Sequence, residues 1–339
     1  MPTEEQIKES LEEVLVPGIM RSLVKLNLVR QVSISDEKVQ VVLASTTLDS
    51  AIQDWLRAKI GDVLKKLPEV KETNVDFVEV KAKEINNIRY VVVVMSGKGG
   101  VGKSLVAALL AVALTRQGKE VGILDADITG PSIPKMFGLS QARPTGSDTG
   151  ILPVLSRGGI EIMSINLMLE HEDDAVIWRG PLIGKAIQQF WEEVLWGKLD
   201  YLIVDLPPGT ADAPLTVMQS LPVSGAIMVF SPQELAAMVV RKAVKMAKQM
   251  NIPILGVVEN MSYFTLPDSG KKLELFGRSK GEEMAKIAGT SLLSQIPIDP
   301  ELARLCDEGE IERYSLDAFN TFAQDFAQAV PLKAKLRVK

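Results

Sequence analysis

Tyr90-Val91-Val92-Val93-Val94-Met95-Ser96-Gly97-Lys98-Gly99-Gly100-Val101-Gly102-Lys103-Ser104 joins a β-branched run to a glycine-rich turn, and apolar Leu105 to Leu114 follows directly. A strand entering a G-x-x-x-x-G-K-S turn that opens a helix is the context in which this spacing binds phosphate. The glycines let the backbone curl so that successive N–H groups and the helix N-terminus point at phosphate oxygens. Lys103 reaches the β and γ phosphates, and the Ser104 hydroxyl is a ligand for Mg²⁺. A bare strand-to-helix turn would need the glycines but neither the Lys nor the Ser. Gly97, Lys98, Gly99, Gly100, Val101, Gly102, Lys103 and Ser104 are therefore the candidate nucleotide-binding loop.

Outward from this loop the texture is uniform. Glu120 to Leu124, Ile160 to Ile165, Tyr201 to Val204, Gly225 to Phe230 and Ile254 to Val258 are further short apolar runs separated by helical stretches. Runs apolar at nearly every position suit strands covered on both faces, the mark of an α/β, doubly wound, mostly parallel sheet. Leu105 to Leu114 is about half of the roughly 20 residues a spanning helix needs, and it reads as a buried helix. Near the end, Phe319, Phe322 and Phe326 recur at helical spacing, a stripe that faces a core or another subunit.

The chain of 339 residues has room for more than one domain. Residues 1–83 read as a separate small α/β unit, and 84–339 as the P-loop domain. Ile7, Leu11, Val14 and Leu15 have helical spacing stopped by Pro17-Gly18. Val39 to Leu43 reads as a strand, Ser50 to Leu67 as a helix and Asn74 to Val80 as an edge strand. The polar stretch Lys81 to Asn87 marks the boundary.

Composition excludes several chemistries. Lys plus Arg number 38 against 43 Asp plus Glu, a formal charge of -5, so no global basic field attracts nucleic acid or anionic lipid. The chain holds one cysteine, Cys306, and one histidine, His171, which excludes an intramolecular disulfide and a Cys/His zinc cage within one chain. This usage fits a reducing cytoplasmic setting, and Met1 to Glu13 lacks the basic start and apolar stretch of an export signal.

Acidic residues able to act on magnesium and water are expected at the C-terminal ends of strands neighbouring the loop. Asp125-Ala126-Asp127 follows one strand and Asp205 ends another, ahead of Leu206-Pro207-Pro208-Gly209-Thr210. A lone Asp at a strand end also serves as a cap or turn former. Two such sites in the right chain order favour the magnesium reading.

Lys98 makes the loop resemble the deviant phosphate loop of MinD-like ATPases, in which this lysine crosses a dimer interface to the partner's nucleotide. Longer words resemble the Mrp family of iron-sulfur cluster carrier ATPases. They are Asp125 to Pro134 (DADITGPSIP), Trp178-Arg179-Gly180-Pro181, Asp200 to Thr210 (DYLIVDLPPGT) and Glu259-Asn260-Met261-Ser262-Tyr263-Phe264. Residues 1–83 resemble the small α/β domain of iron-sulfur assembly proteins. The resemblance implies a homodimeric, slowly hydrolysing ATPase using ATP and Mg²⁺, with iron-sulfur apoproteins or assembly proteins as partners. By it, Lys98, Lys103 and Asp127 are catalytic, Ser104, Asp125 and Asp205 serve magnesium, and Asn260 reads the adenine. On residue type alone the lesser alternative for Asn260 is a turn former after a strand.

One departure stands out. Carriers of this family bear a Cys-x-x-Cys shortly after the Asn-Met-Ser-Tyr-Phe word, where paired subunits hold a shared cluster. This chain has Thr265-Leu266-Pro267-Asp268-Ser269-Gly270, with Leu266 and Ser269 in the thiolate positions. Leucine cannot ligate iron, and a serine oxygen is a poor substitute for soft sulfur. Cys306 lies in a stretch with helical apolar spacing and reads as an ordinary buried thiol, while two copies in a dimer would still give only two ligands. His171, among Glu170, Glu172, Asp173 and Asp174, reads as a solvated acidic loop or, against the absence of a second imidazole, as a metal site. Three functions stay open: an ATPase of iron-sulfur protein maturation, a nucleotide-switched dimer that positions a client without metal, and an interaction module with a vestigial ATPase.

Overall fold

The structure is a computed structural model of the chain, and it describes residues 2–35, 37–127, 130, 132–168, 180–233, 236–315 and 317–334. They form two compact units. One comprises residues 1–88, 144–153 and 189–199, the other 89–143, 154–188 and 200–339. The front unit is thus not a continuous stretch ending near 83, because two later segments return to it.

In the front unit, α1 (Glu4–Glu12) opens with a reciprocal capping box between Thr3 and Gln6. It stops before Pro17-Gly18, and Leu15 is exposed, so the helical spacing overruns the helix by a few residues. There follow β1 (Val29–Ser35), β2 (Lys38–Ala44), α2 (Ser50–Leu64), β3 (Glu72–Val78) and α3 (Ala82–Ile85). The strand order is β1-β2-β3, antiparallel between β1 and β2 and parallel between β2 and β3, which leaves β3 at an edge as its alternation suggested. Leu11, Leu43, Leu56 and Ile60 form this unit's core together with Leu195 from a returning segment.

The chain continues through β4 (Asn87–Ser96), α4 (Lys103–Arg116), β5 (Val121–Asp125) and α5 (Ile133–Met136). It then forms the hairpin β6 (Thr145–Ser147) and β7 (Gly150–Leu152), followed by β8 (Val154–Leu155) and β9 (Glu161–Ser164). Next come α6 (Gly180–Glu193), β10 (Lys198–Asp205), α7 (Asp212–Ser220), β11 (Gly225–Phe230), α8 (Ala236–Gln249) and β12 (Ile254–Glu259). A second hairpin, β13 (Phe264–Thr265) and β14 (Lys272–Leu273), leads to α9 (Gly281–Ala288), β15 (Leu292–Gln295), α10 (Pro300–Asp307) and α11 (Asp317–Ala334).

Eight strands make the large sheet in the order β15-β12-β11-β4-β10-β5-β9-β8. The pairs β4/β11, β5/β10, β5/β9, β11/β12 and β12/β15 are parallel, and β8/β9 is antiparallel. Every residue of β5, β9, β11 and β12 is buried, so both faces of those strands are covered. Val106 through Leu114 of α4 are all buried too, as the unbroken apolar run requires. Sequential strands leave β4 in opposite directions, β5 to one side and β11 to the other. Such a reversal opens a crevice at the carboxyl ends of the strands, and the glycine-rich turn lies there. In α11, Phe322 and Phe326 are buried in the core of this unit, with the Phe326 ring centroid 5.6 Å from that of Tyr201. The Phe319 side chain lies outside the described residues.

Candidate nucleotide site

The turn between β4 and α4 is held open from three sides. Gly102 caps α4 with φ at 77°, a left-handed conformation that glycine adopts at no steric cost. A side chain there would also overlap the Asn260 amide, which donates a 2.9 Å hydrogen bond to the Val101 carbonyl. At Gly97 the constraint is close approach, since an added Cβ would meet the Val239 side chain and lie 2.8 Å from its carbonyl oxygen. Behind the turn, the Ser96 hydroxyl donates to the Lys98 carbonyl at 2.9 Å, and the Gly209 N–H donates to the Ser96 carbonyl at 3.0 Å. Ser96, Gly99 through Leu105, Asp127, Ser132, Met136 and Pro208 line a cleft of about 300 Å³.

At its base, Lys103 is 5% exposed and its ammonium lies 2.5 Å from Asp205 Oδ1, 3.6 Å from Asp127 Oδ2 and 3.3 Å from Ser104 Oγ. Parallel pairing of β5 with β10 sets Asp125 beside Asp205, and the Ala126 N–H donates to the Asp205 carbonyl. Sheet register, not sequence proximity, brings the two acidic words together. Asp205 is fully buried, and among the described residues its Oδ2 has no hydrogen-bond partner. Burial raises its pKa, against the opposing charge and hydrogen bond of Lys103.

Asp125 is also buried, but both its oxygens are engaged. Oδ1 accepts from the Asp127 N–H at 3.1 Å and Oδ2 from the Ser164 hydroxyl at 3.2 Å. Burial, reinforced by the Asp205 charge, pushes its pKa up to about 8. It does not line the cleft, so the structure sets it behind Asp127 and holds the turn that carries Asp127. Lys98 is half-buried and its ammonium donates to Gln233 Oε1 of the same chain. Asn260 likewise stands behind the loop, its side chain turned to Val101.

Other residues also shape the site. Gln233, Val239 and Pro208 meet the loop from segments distant in sequence, and a strand-loop-helix pattern says nothing of which segments will. Glu259, at the end of β12, is another. Burial would raise its pKa, but hydrogen bonds from Ser262, Ser279 and Gln295 and from the Lys280 N–H together hold it below the ordinary carboxylate range. This knot anchors the segment containing β13 and β14, and with it Leu266 and Ser269. The Leu266 N–H donates to the Lys271 carbonyl and its own carbonyl accepts from the Gly270 N–H, so the turn closes on itself.

Cys306, on α10, is half-buried against the core, and burial pushes its thiol up to about 11, away from the thiolate that binds metal. His171, Trp178, Arg179, Ile128, Thr129 and Pro131 lie outside the described residues. Among the described residues no helix is long and apolar enough to cross a membrane.

Comparison with known proteins agrees with this geometry. Residues 87–330 match the model of the NUBPL iron-transfer P-loop NTPase family, and residues 4–77 match that of the iron-sulfur cluster assembly protein family. The iron-sulfur cluster carrier protein of Aquifex aeolicus is 40% identical over 329 residues, covering 89% of this chain and 88% of that one. The protein of the same name from Synechocystis is 37% identical and covers 98% of this chain and 99% of its own. Among solved structures, a nucleotide-binding protein from Archaeoglobus fulgidus in complex with ADP is 49% identical, with a TM-score of 0.65 over 71% of this chain and 96% of that one. The MinD cell division protein of Aquifex aeolicus, at 20% identity and a TM-score of 0.51 over 70% of this chain and 97% of its own, shares the fold. Matched over most of its length, with its glycine-rich turn and strand-end acids set around one cleft, the chain belongs to the NUBPL iron-transfer P-loop NTPase family and carries a front segment of the iron-sulfur cluster assembly type.

Proposed function

We propose that the chain binds ATP with Mg²⁺, hydrolyses it slowly and works as a nucleotide-dependent homodimer in iron-sulfur protein assembly. The observation that carries this reading is the buried Lys103 ammonium at the base of an open glycine cleft, flanked by Asp205, Asp127 and Ser104. Phosphoryl transfer asks mainly for positioning and charge neutralisation, and this set has both. Lys103 leaves Asp205 for the β and γ phosphates, the loop N–H groups hold their oxygens, and Asp127 orients the attacking water. Lys98 exchanges Gln233 for the partner subunit's nucleotide.

The donor set suits Mg²⁺, which keeps most of its waters and takes few protein ligands. Ser104 would hold it directly and Asp205 through water, the unpartnered Oδ2 being the group that needs such a neighbour. Bound there, the ion supplies positive charge at the phosphates. Asp125 is assigned a positioning role behind Asp127. Asn260, buried with its amide donating to the Val101 carbonyl, is assigned to the adenine side by the family resemblance.

A cluster would be cargo in such a protein, and Leu266 and Ser269 do not provide for one. The alternative reading, a nucleotide-switched ATPase that positions a client and carries no cluster, rests on that one substitution pair. The ATPase reading is tested by titrating the full chain with a fluorescent ATP analogue and Mg²⁺ and by following phosphate release. Saturable binding and slow release are expected, both lost on Lys103→Ala, with hydrolysis falling on the order of a hundredfold or more. No nucleotide binding would sink it. Anaerobic reconstitution then separates the two roles: little stable iron and sulfide is expected per dimer, and a stoichiometric cluster with its visible absorption would show that other ligands serve.

A further inference from the structure

A second cleft, of about 320 Å³, lies between α7 and α8, lined among others by Thr210, Asp212, Leu215, Lys242, Lys245 and Met246. One wall is the segment that follows Asp205 and Gly209; the other is the helix whose Val239 abuts Gly97. The function proposed above uses none of these lining residues.

The charge pattern of α8 is unusual for this chain. Within Ala236–Gln249 there are four cations, Arg241, Lys242, Lys245 and Lys248, and no acid, in a protein with 43 acidic residues and a formal charge of -5. All four are exposed, and among the described residues no carboxylate pairs with any of them. Lys248 is in the last turn, where the helix dipole favours a cation. The other three gain nothing there, and Arg241 and Lys245 stand at i and i+4, where like charges repel. Met238, 45% exposed, precedes Arg241, Lys242 and Lys245 by three, four and seven residues, so it shares their face. Met238 and these cations thus share one face of α8, and Lys242 and Lys245 of that face also line the cleft with Leu215 and Met246.

We infer that this face of α8, with its cleft, docks an acidic, partly apolar segment of a partner protein. Carboxylates would meet Arg241, Lys242 and Lys245, and an aliphatic side chain would enter beside Leu215 and Met246. Asp212 in the cleft wall disfavours a compact dianion such as free phosphate. A nucleic acid would need a longer run of phosphate contacts than one helix face gives, and the net charge of the protein opposes it.

The test uses the full chain and a fluorescein-labelled peptide alternating glutamate and leucine, followed by anisotropy. The wild type is expected to bind it saturably, with affinity falling as salt rises. Lys242→Glu/Lys245→Glu should weaken binding by about tenfold or more, and Lys242→Gln/Lys245→Gln by a smaller factor. Fluorescent-nucleotide binding and the unfolding midpoint, read on the same preparations, should not change, since both lysines are exposed and glutamine is a good helix former. The inference is overturned if the wild type fails to bind the peptide, if the lysine variants bind it equally well, or if a glutamine-leucine peptide binds as tightly. It is equally overturned if oligothymidylate binds more tightly than the acidic peptide, or if millimolar phosphate displaces the peptide.

Discussion

At the residue scale, the site is built from groups whose roles depend on what surrounds them. Gly102 combines a left-handed backbone with a space occupied by the Asn260 amide. Gly102→Ala should therefore cost roughly 1–3 kcal/mol from backbone strain alone, and more if Asn260 has to move. Urea titration of the nucleotide-free chain measures this, and an unchanged midpoint would contradict it. Asp125 makes a pH prediction. Its folded pKa of about 8 lies above the ordinary value, so between roughly pH 4 and 8 the unfolded chain binds fewer protons than the folded one at this site. Its contribution to stability is then fully present below the unfolded pKa and is lost as pH rises through the folded one. Asp125→Asn should flatten the fall in the urea midpoint of the nucleotide-free protein between pH 5 and 8; an identical slope in wild type and variant would refute it. That Lys103, Ser104, Asp127 and Asp205 gather in one place was legible in the sequence, because a glycine-rich strand-to-helix turn and acids at strand ends share one edge of a parallel sheet. Gln233, Val239 and the partners of Glu259 were not, because nothing local to them signals what the fold brings against them.

At the scale of the element, strands were legible where burial on both faces imposed an unbroken apolar run, as in β5, β11 and β12. β1 escaped notice because a register shift between Val29 and Gln31 breaks its alternation, and β15 because four residues of mixed polarity carry too little pattern. The hairpin of β13 and β14 shows the same limit. Two residues per strand cannot hold a hairpin by themselves, so its placement falls to Glu259 together with the backbone bridge between Phe264 and Ile298. Glu259→Gln replaces an acceptor-only carboxylate, met by the Ser262 and Ser279 hydroxyls, the Gln295 amide and the Lys280 N–H, with a group that brings donors of its own. Hydrogen bonds to a charged acceptor contribute about 1.5–3 kcal/mol each, so the loss should be felt locally. Hydrogen exchange followed by mass spectrometry should show faster exchange across residues 262–281 and little change in α4; uniform protection throughout would refute the anchoring role.

At the scale of the whole molecule, the compact units do not coincide with a single cut in the chain. Lys81 to Asn87 has the composition of a linker, yet the front unit recovers residues 144–153 and 189–199. Within it the Asn86 side chain donates to the Val194 carbonyl and accepts from the Gly197 N–H, and Leu195 is buried among Ile7, Leu43 and Leu56. Composition could not reveal this, because a segment's return is a property of the folded path. A chain beginning at residue 84 should leave Leu195 uncovered. It is expected to unfold at a lower temperature or to aggregate, by light scattering, where the full chain does not; a fragment as stable as the parent would refute this. The same path sets a timetable for synthesis. Residues up to 88 leave the ribosome well before residue 199, and at about 5–20 residues per second the intervening chain takes on the order of 5–20 s to translate. Over that interval the nascent amino-terminal segment waits with part of its greasy interior open to the crowd of the cell, and its closing piece arrives only while the nucleotide-binding half is still being made.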